Sequence, residues 1–230
     1  PAGRRQVLHR KCLALFGETA PNAVLAFHAA AAKSYGRALD HYVTAAQNAE
    51  KSLDAYGAAA LYKKARDVLR WKLLEDESSE RYLTISVHLA RNLLAYGNAT
   101  AAEILYKSVE KEAQIYPRLD SWVAMGLADI MMVQHRSVRA TEVLSTAVGR
   151  ILPSGEIEVL TELYLALGNL LLQTGDHNRA LVELREGLDM VTLGHGMDWK
   201  HAPPQVWKLL LRLADIQRRV ALEKREEQRT

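Results

Sequence analysis

The feature that most constrains this chain is a regular alternation of amphipathic stretches with short breakers along its 230 residues. The stretches run for about 14–20 residues, and their apolar positions recur at i, i+3, i+4 and i+7. Alanine and leucine dominate them, and clusters of β-branched residues typical of strands are rare. The pattern predicts an all-α protein whose short loops make consecutive helices antiparallel. The predicted helices span 4–15, 20–34, 37–51, 55–73, 79–95, 99–115, 119–134, 137–151, 156–174 and 177–192, with a longer last helix over 204–226.

Two of the breakers contain residues that end one helix and begin the next. Gly97 and Gly175 stand where a helix would finish in a left-handed residue. Asn98 and Asp176 follow them, and such side chains accept hydrogen bonds from the first backbone N–H groups of a helix. Both breakers are therefore predicted to be tight helix–helix turns.

Three segments repeat one pattern of small and large residues. In LALGNLLLQTGDHNRALVELREGL the small residues include Gly168 and Ala180, and Leu184 is large. The segments HLARNLLAYGNATAAEILYKSV and GLADIMMVQHRSVRATEVLSTAV fit the same frame, with Ala102 and Ala140 in the place of Ala180. Such recurrence predicts stacked helical hairpins, in which small residues let backbones approach and large ones fill the remaining space.

The pattern resembles the tetratricopeptide repeat. It departs at Gly187, where that family usually has alanine, and at Thr192, where it usually has a closing proline. The resemblance implies a right-handed α-solenoid of antiparallel helix pairs with a C-terminal capping helix. The residues that match the family best are Tyr164, Leu167, Gly168, Gly175, Ala180 and Leu184.

The N-terminal part contains the second-helix pattern twice, on consecutive helices. The segment 20–69 is similar to a three-helix unit in the helical arms of large bacterial signal-transduction ATPases and multidomain transcriptional regulators. We divide the chain into an N-terminal helical segment with degenerate repeats (1–75), three helix pairs (76–192), and a long loop with a capping helix (193–230). The N-terminal patterns are Ala38, Tyr42 and Ala45, then Ala58, Tyr62 and Ala65.

The resemblance also implies that the first helix of each pair lines a concave groove for a partner. Trp122, Met125 and Met132 would form an apolar patch there, or would instead pack against the neighbouring repeat. Acidic residues at Asp129 and Asp215 would repel a peptide carboxylate, which argues against a chaperone-type carboxylate clamp. The groove residues are predicted to be Val87, Arg91, Leu94, Trp122, Met125, Asp129, Met132, Glu162, Leu165, Asn169, Gln173, Lys208, Leu211, Asp215 and Arg218.

No catalytic or cofactor motif is present: the sequence lacks GxxxxGK[ST], GxGxxG, HExxH and CxxC. Cys12 with His9 one turn away is the single candidate for a nucleophile and base, and a core role for Cys12 is the alternative. His28 and His41 lie on alanine-rich helices and are expected to be structural. We expect neither an enzyme nor a bound cofactor or metal.

The one long loop, LGHGMDWKHAPP, holds two histidines and a carboxylate. His195, Asp198 and His201 are of types that bind transition metals, although their spacing matches no standard site. The alternative is a packed loop with Trp199 as its anchor. We favour the packed loop.

The charge is only mildly basic, with a formal net charge of +3 and an isoelectric point near 9.0. Lysine and arginine alternate with acidic residues on most helices, so we do not expect direct contact with nucleic acid, which needs a continuous basic stripe. A helical-repeat module that associates with nucleic acid remains one alternative. A sensor domain that binds a small effector near Trp122 and Met132 is another.

A single cysteine is typical of a reducing compartment, and no apolar run is long enough to cross a membrane. PAGRRQV at the N-terminus lacks an apolar signal region, so we expect a cytoplasmic protein. It also lacks methionine, which indicates either a segment of a larger protein or a processed chain, and the two alternatives stay open. The predicted function is a protein-interaction scaffold that binds a peptide, helix or partner domain within a regulator of signal transduction or transcription. The partner and the oligomeric state stay open.

Overall fold

The computed structural model describes residues 2–17, 19–74, 76–193 and 204–227, and those residues form helices and turns without strands. The all-α prediction is confirmed, and each predicted helix is present with ends shifted by a few residues. The α-helices are α1 Ala2–Phe16, α2 Asn22–Ala31, α3 Tyr35–Lys51, α4 Ala55–Val68, α5 Glu80–Ala95, α6 Ala99–Ala113, α7 Pro117–Val133, α8 Ser137–Ile151, α9 Ile157–Gln173, α10 His177–Leu193 and α11 Pro204–Glu227.

One helix differs from its prediction in kind. The predicted helix 55–73 is α-helical only as far as Val68, and Leu69–Leu73 form a wider π-helical turn. That turn ends at Leu74, whose φ of 51° is left-handed and cannot continue a helix. Hydrophobic periodicity did not distinguish the two helix types, because the π turn spans five residues of which Leu69 alone is buried, too few to define a period.

Five helix–helix turns share one geometry. Each contains a residue with positive φ, and the next residue donates its backbone N–H to the carbonyl five positions earlier, at 2.8–2.9 Å. This is the Schellman closure of a helix C-terminus. Only two of the turns use glycine, because the other left-handed residues are tolerated at exposed turn positions. The left-handed residues are Lys33, Leu53, Gly97, His135 and Gly175.

Asparagine and aspartate cap the helices that follow three of these turns. Asn98 accepts a hydrogen bond from the Ala101 N–H at 3.2 Å, and Asp176 accepts one from the Arg179 N–H at 3.1 Å. Both predicted caps are confirmed. Asp54 does the same for α4, accepting from the Gly57 N–H at 2.8 Å.

The chain forms two compact units, residues 1–119 and 120–230. In the first unit, each of the helices α1 to α5 packs against the next helix in the chain. Its core contains fully buried Tyr62, Tyr82 and Tyr106. The boundary at 119/120 lies inside the predicted 76–192 segment, so the three-part division by repeats stays a prediction.

In the second unit α8, α9, α10 and α11 pack in sequence, and α9 also contacts α11 directly. Leu163, Leu167 and Leu184 are fully buried in one continuous apolar core. At the start of this unit Arg150 donates two hydrogen bonds to the buried carboxylate of Asp120, at 2.8 and 3.1 Å, which ties the end of α8 to the first turn of α7.

The small residues of the repeat lie where helices touch. Ala102, Ala140 and Ala180 are completely buried. A Cβ atom on Gly168 would lie 2.6 Å from Cγ of Leu184, closer than van der Waals contact allows. At Gly187 a Cβ would lie 2.7 Å from Cγ of Tyr164, so the Tyr164 ring takes the space that the usual alanine would need.

Candidate partner-binding surface

Helices α9 and α11 form the walls of a surface cavity in the second unit. Leu209, Leu213 and Ile216 of α11 are buried, and this places the opposite side of the helix toward solvent. The cavity has a volume of about 410 Å³. Its lining residues are Leu165, Asn169, Lys208, Leu211, Arg212 and Asp215.

The apolar part of this cavity consists of two leucines from different helices. Leu165 is half-buried and packs partly against the core, and Leu211 is 71% exposed. A large apolar side chain with that exposure gains about 1.5–3 kcal/mol when it is fully covered. The two leucines therefore favour contact with an apolar group of a partner.

Asn169 provides an unsatisfied acceptor beside these leucines. Its Oδ1 atom is shielded from solvent and accepts no hydrogen bond from the described residues. A shielded acceptor without a donor is unfavourable by about 1–3 kcal/mol. If the Asn169 amide turns so that this oxygen faces the cavity, a partner N–H group can donate to it and recover that free energy.

The charges around the cavity are unequal. Asp215 Oδ2 lies 3.3 Å from Arg219 and 3.9 Å from Arg212, so its charge is already compensated. Lys208 is exposed and has no carboxylate within ion-pair distance among the described residues. The rim is thus positive on balance and attracts an anion.

Five of the predicted groove residues line this one cavity, and the sequence missed a sixth, Arg212. Arg212 follows Leu211 on α11, so its position on the same exposed side of the helix was a usable signal. Glu162, Gln173 and Arg218 lie on the same two helices and are not among the cavity's lining residues. The five predicted residues are Leu165, Asn169, Lys208, Leu211 and Asp215.

The other predicted residues of the second unit lie on α7. Met125 and Met132 are half-buried and pack against the apolar core, and their place in a partner-binding patch stays a prediction. Trp122 is also half-buried. Asp129 is exposed, yet the protein around its carboxyl group excludes enough water to raise its pKa.

The first unit contains three predicted groove residues, and they differ in accessibility. Val87 is only 1% exposed and belongs to the core, so its assignment to a binding surface is corrected here. The repeat alignment placed this residue on the groove side of α5, whereas its side chain points into the core. Leu94 is half-buried, and Arg91 is exposed with its Nη2 atom 3.5 Å from Glu50 Oε1.

Glu50 is the centre of a polar network that joins α3, α4 and α5. Its carboxylate accepts hydrogen bonds from Asn92 Nδ2 at 2.6 Å and from the Tyr62 hydroxyl at 3.1 Å, and His88 Nδ1 lies 3.3 Å away. The rings of Tyr62 and His88 are stacked, with centroids 5.2 Å apart. Arg91 is exposed to solvent and at the same time contacts Glu50 of this network.

Burial and charge oppose each other in this network. Burial alone would raise the pKa of Glu50, but the Asn92 hydrogen bond and the charges of His88 and Arg91 outweigh it and hold that pKa below 4.5. Burial lowers the pKa of His88 more than Glu50 raises it. Burial and the Glu50 carboxylate both raise the pKa of Tyr62. At neutral pH the network therefore favours an ionised Glu50 and a neutral His88, and the charge of His88 acts on Glu50 only at acid pH, where His88 is protonated.

The candidate nucleophile pair is not formed. His9 Nδ1 lies 2.9 Å from Nδ1 of His28 and shares an aromatic cluster with Phe27, so His9 is engaged away from Cys12, which is a free, half-buried thiol. His41 bonds Asn22 Oδ1 at 2.9 Å. The structural roles expected for His28 and His41 agree with these contacts.

The predicted loop residues His195, Asp198, Trp199 and His201 lie outside the described residues. Across the described residues, no three His, Cys, Asp or Glu side chains are grouped to hold a metal ion. No helix in the same part of the chain combines the length and the apolarity that a membrane span requires.

Comparison with solved structures identifies the architecture. BtubC (BKLC) from P. vanneervenii superposes with a TM-score of 0.63 at 16% identity, covering 96% of this chain and 82% of that one. A putative kinesin light chain of Podospora anserina with nearly identical TPR-like repeats gives a TM-score of 0.62 at 18% identity, covering 83% of this chain and 92% of that one. The chain has a tetratricopeptide-like fold.

This result confirms the fold class predicted from the repeat. At such low identity the likeness establishes the tetratricopeptide-like architecture and leaves the function to the residues themselves. No protein-family model matches the chain, and no curated protein matches it either. The similarity of segment 20–69 to the helical arms of large ATPases and regulators stays a prediction.

Proposed function

We propose that this protein is a non-catalytic interaction scaffold, which binds an extended segment of a partner protein across the α9–α11 cavity. The observation that supports it is the combination in one cavity of exposed Leu211, exposed Lys208 and the Asn169 acceptor, the last two without a partner among the described residues. These groups complement the three kinds of group that an extended peptide offers: an apolar side chain, a backbone N–H and a carboxylate.

Each contact has a defined chemical role. An apolar side chain of the partner covers Leu165 and Leu211, and this supplies hydrophobic free energy. Once the Asn169 amide turns toward the cavity, a partner backbone N–H donates to its Oδ1 and removes the unsatisfied acceptor. A partner carboxylate near Lys208 supplies electrostatic steering and orientation more than affinity, since that rim is exposed.

A display selection tests the proposal with peptides of random sequence. A library of 12-residue peptides, a length of roughly 40 Å when extended, is selected on the wild-type chain. The enriched peptides are then measured against Leu211→Glu, Asn169→Ala and the control Val182→Glu. Val182 is an exposed apolar residue of α10 that does not line the cavity. We expect peptides with an apolar and an acidic residue, bound about tenfold or more weakly by Leu211→Glu and normally by Val182→Glu.

Two results would contradict the proposal. One is a selection that enriches no peptide above background. The other is a set of enriched peptides that bind Leu211→Glu and wild type with equal affinity. Circular dichroism of each variant establishes that helix content is unchanged, so a loss of binding reports the cavity and not unfolding.

We further propose that the scaffold is cytoplasmic and acts within a larger regulator of signal transduction or transcription. The single cysteine and the similarity of segment 20–69 to regulator arms support this context. Affinity capture from the native cell with wild type and Leu211→Glu in parallel tests it. A wild-type-specific set of partners that contains no signalling or transcription protein would reject the regulatory context, whichever peptide the cavity prefers.

A further inference from the structure

A second cavity, in the first unit, lies between α3 and α5 and has a volume of about 450 Å³. The sequence did not point to it, because the pattern Ala38, Tyr42 and Ala45 had placed α3 among the second helices. In the structure α3 closes one hairpin with α2 and opens the next with α4, so its outer face is a cavity wall. The lining residues are Asp40, Val43, Thr44, Glu80, Arg81, Thr84 and Ile85.

Helix packing determines which residues reach this cavity. On α3, Leu39 and Tyr42 are buried, whereas Asp40 is exposed and Val43 is half-buried at the edge of the buried face. On α5, Tyr82 and Leu83 are buried, and this leaves Arg81 exposed. The cavity is therefore formed by the packing of two amphipathic helices, and no loop residue of the described chain lines it.

The floor of the cavity is apolar and its threonines are already satisfied. Ile85 is almost completely buried and Val43 is half-buried. The hydroxyl of Thr44 donates to the Asp40 carbonyl at 2.9 Å, and that of Thr84 donates to the Glu80 carbonyl at 2.7 Å. A ligand thus meets methyl and methylene groups below and charged groups at the rim.

The rim is negative on balance. Arg81 Nη2 lies 2.9 Å from Asp40 Oδ1, and this exposed ion pair compensates one carboxylate. Glu80 is exposed and has no cation within ion-pair distance among the described residues. One negative charge remains, the reverse of the α9–α11 cavity.

We propose that the α3–α5 cavity is a second docking position, which takes a lysine or arginine side chain from a basic segment of a partner protein. The aliphatic stem of that side chain covers Val43 and Ile85, and its cationic head pairs with Glu80 and with Asp40. An acidic segment is disfavoured, because it would face two carboxylates while the one guanidinium is already engaged. The inference does not depend on the α9–α11 cavity.

Nuclear magnetic resonance of the whole chain tests this proposal. The probes are acetyl-Ala-Leu-Arg-Leu-Ala-amide and the same peptide with glutamate in place of arginine, titrated against the ¹⁵N-labelled protein. We expect the arginine peptide to shift the amides of residues 40–44 and 80–85 in a saturable way. The glutamate peptide is expected to leave those amides unchanged.

Matched variants give opposite expected signs. The double variant Asp40→Asn with Glu80→Gln is expected to bind the arginine peptide about tenfold more weakly, since two charge-assisted contacts become neutral ones. The Arg81→Gln variant is expected to bind the arginine peptide several-fold more tightly, because a competing cation is removed while Asp40 is retained. A merely structural role of the Asp40–Arg81 pair would weaken binding in both variants.

The inference is overturned if both peptides shift the α3–α5 amides equally, if neither shifts them up to millimolar concentration, or if Arg81→Gln weakens the arginine peptide. Amides of residues 165–173 and 208–215 are followed in the same spectra. Shifts confined to them would reject the α3–α5 cavity and leave the proposed function standing. Loss of the α9–α11 site in the peptide selection would have no bearing on the shifts expected here.

Discussion

Equivalent positions in the two units hold opposite kinds of residue. Glu50 in the first unit and Leu172 in the second each stand four residues before the aspartate that caps the next helix, Asp54 or Asp176. Leu172 packs against an apolar core, whereas Glu50 is surrounded by donors from α4 and α5. The helical hairpin therefore fixes the backbone geometry of the junction, but either a charged or an apolar residue can occupy it. A charged residue there requires a dedicated set of partners.

The largest expected effect comes from breaking the polar junction. Glu50→Ala leaves the Tyr62 hydroxyl without its acceptor and leaves Asn92 with the His88 carbonyl alone, in a partly buried site. We expect the free energy of unfolding to fall by about 2–4 kcal/mol. Urea unfolding followed by circular dichroism measures it. Glu50→Gln keeps an acceptor and is expected to lose less than half as much. Equal losses in both variants, or none in either, would contradict the role given to this network.

In the apolar core of the second unit, the expected loss of stability comes from steric overlap. Gly168→Ala places a methyl group against buried Leu184, and we expect a loss of about 1–2 kcal/mol after the helix propensity gained by alanine is included. Gly149→Ala on α8 is the control, since nothing lies within 4 Å of its added Cβ, and it is expected to gain about 0.5–1 kcal/mol. A gain in both variants would show that α9 and α10 are not in close contact at Gly168.

The shared turns offer a test in which the two units respond in opposite directions. Leu53 has a φ of 61° and is 91% exposed, so Leu53→Gly relieves left-handed strain and removes no packing. We expect a gain of about 0.5–1 kcal/mol. Gly175, with a φ of 82°, has the equivalent place in the second unit, and Gly175→Ala is expected to lose about 1 kcal/mol. Thermal unfolding midpoints that move in the same direction would refute the equivalence of the turns.

The smallest expected effect is a pH dependence of opposite sign in the two units. The folded-state pKa values of Glu50 and His88 lie below their ordinary values of 4.5 and 6.5. Their contribution to stability is therefore complete above those ordinary values and is lost as pH falls through the folded pKa values. In the second unit, burial and the nearby Glu186 raise the pKa of Glu183, so its contribution is lost as pH rises.

Hydrogen exchange measures this difference. We expect amide protection in α3–α5 to fall relative to α9–α10 when the solution is acidified from neutral pH to below the ordinary pKa of Glu50, after correction for intrinsic exchange rates. Glu50→Gln should reduce that fall, and Glu183→Gln should leave it unchanged in the first unit. Uniform loss of protection across both units would mean that the network is not the source of the acid sensitivity.

The two cavities extend the same contrast to recognition. Both lie between helices separated by one intervening hairpin partner and are similar in volume, about 450 and 410 Å³. Glu80 makes one rim negative, and Lys208 makes the other positive. If both proposals hold, the two cavities would discriminate among partners by the charge of the segment that each accepts.

Most of the fold was predictable, because the helix and turn signals are local. Gly97, Asn98, Gly175 and Asp176 identified two turns directly, since glycine and short polar side chains have few other reasons to occur at that spacing. The turns at Leu53 and His135 were found only through the apolar pattern around them, and the turn at Lys33 lay inside the predicted helix 20–34, which ends three residues earlier in the structure. Their left-handed conformation is imposed by the close packing of flanking helices and not by the residue itself.

The candidate site was predicted less completely. Leu165, Asn169 and Lys208 follow from the repeat frame and helical spacing, and the structure brings them together. Val87 shows where that reasoning ends, because a frame assigns a helix face only to within one position and this residue turned inward. The α3–α5 cavity was not predicted, because α3 packs against both α2 and α4. The apolar pattern of a single helix does not show which other helices it contacts.

By itself the sequence determined the helices, their order, the small residues at helix contacts and the class of fold, because each depends on neighbours a few residues apart in the chain. Only the tertiary structure decided which side chains face solvent together and which charges remain uncompensated. Glu50 meets Asn92, and Leu165 lies beside Leu211, because helix packing joins residues that are 42 or more positions apart. Binding surfaces arise from such distant pairs, and no local periodicity encodes them.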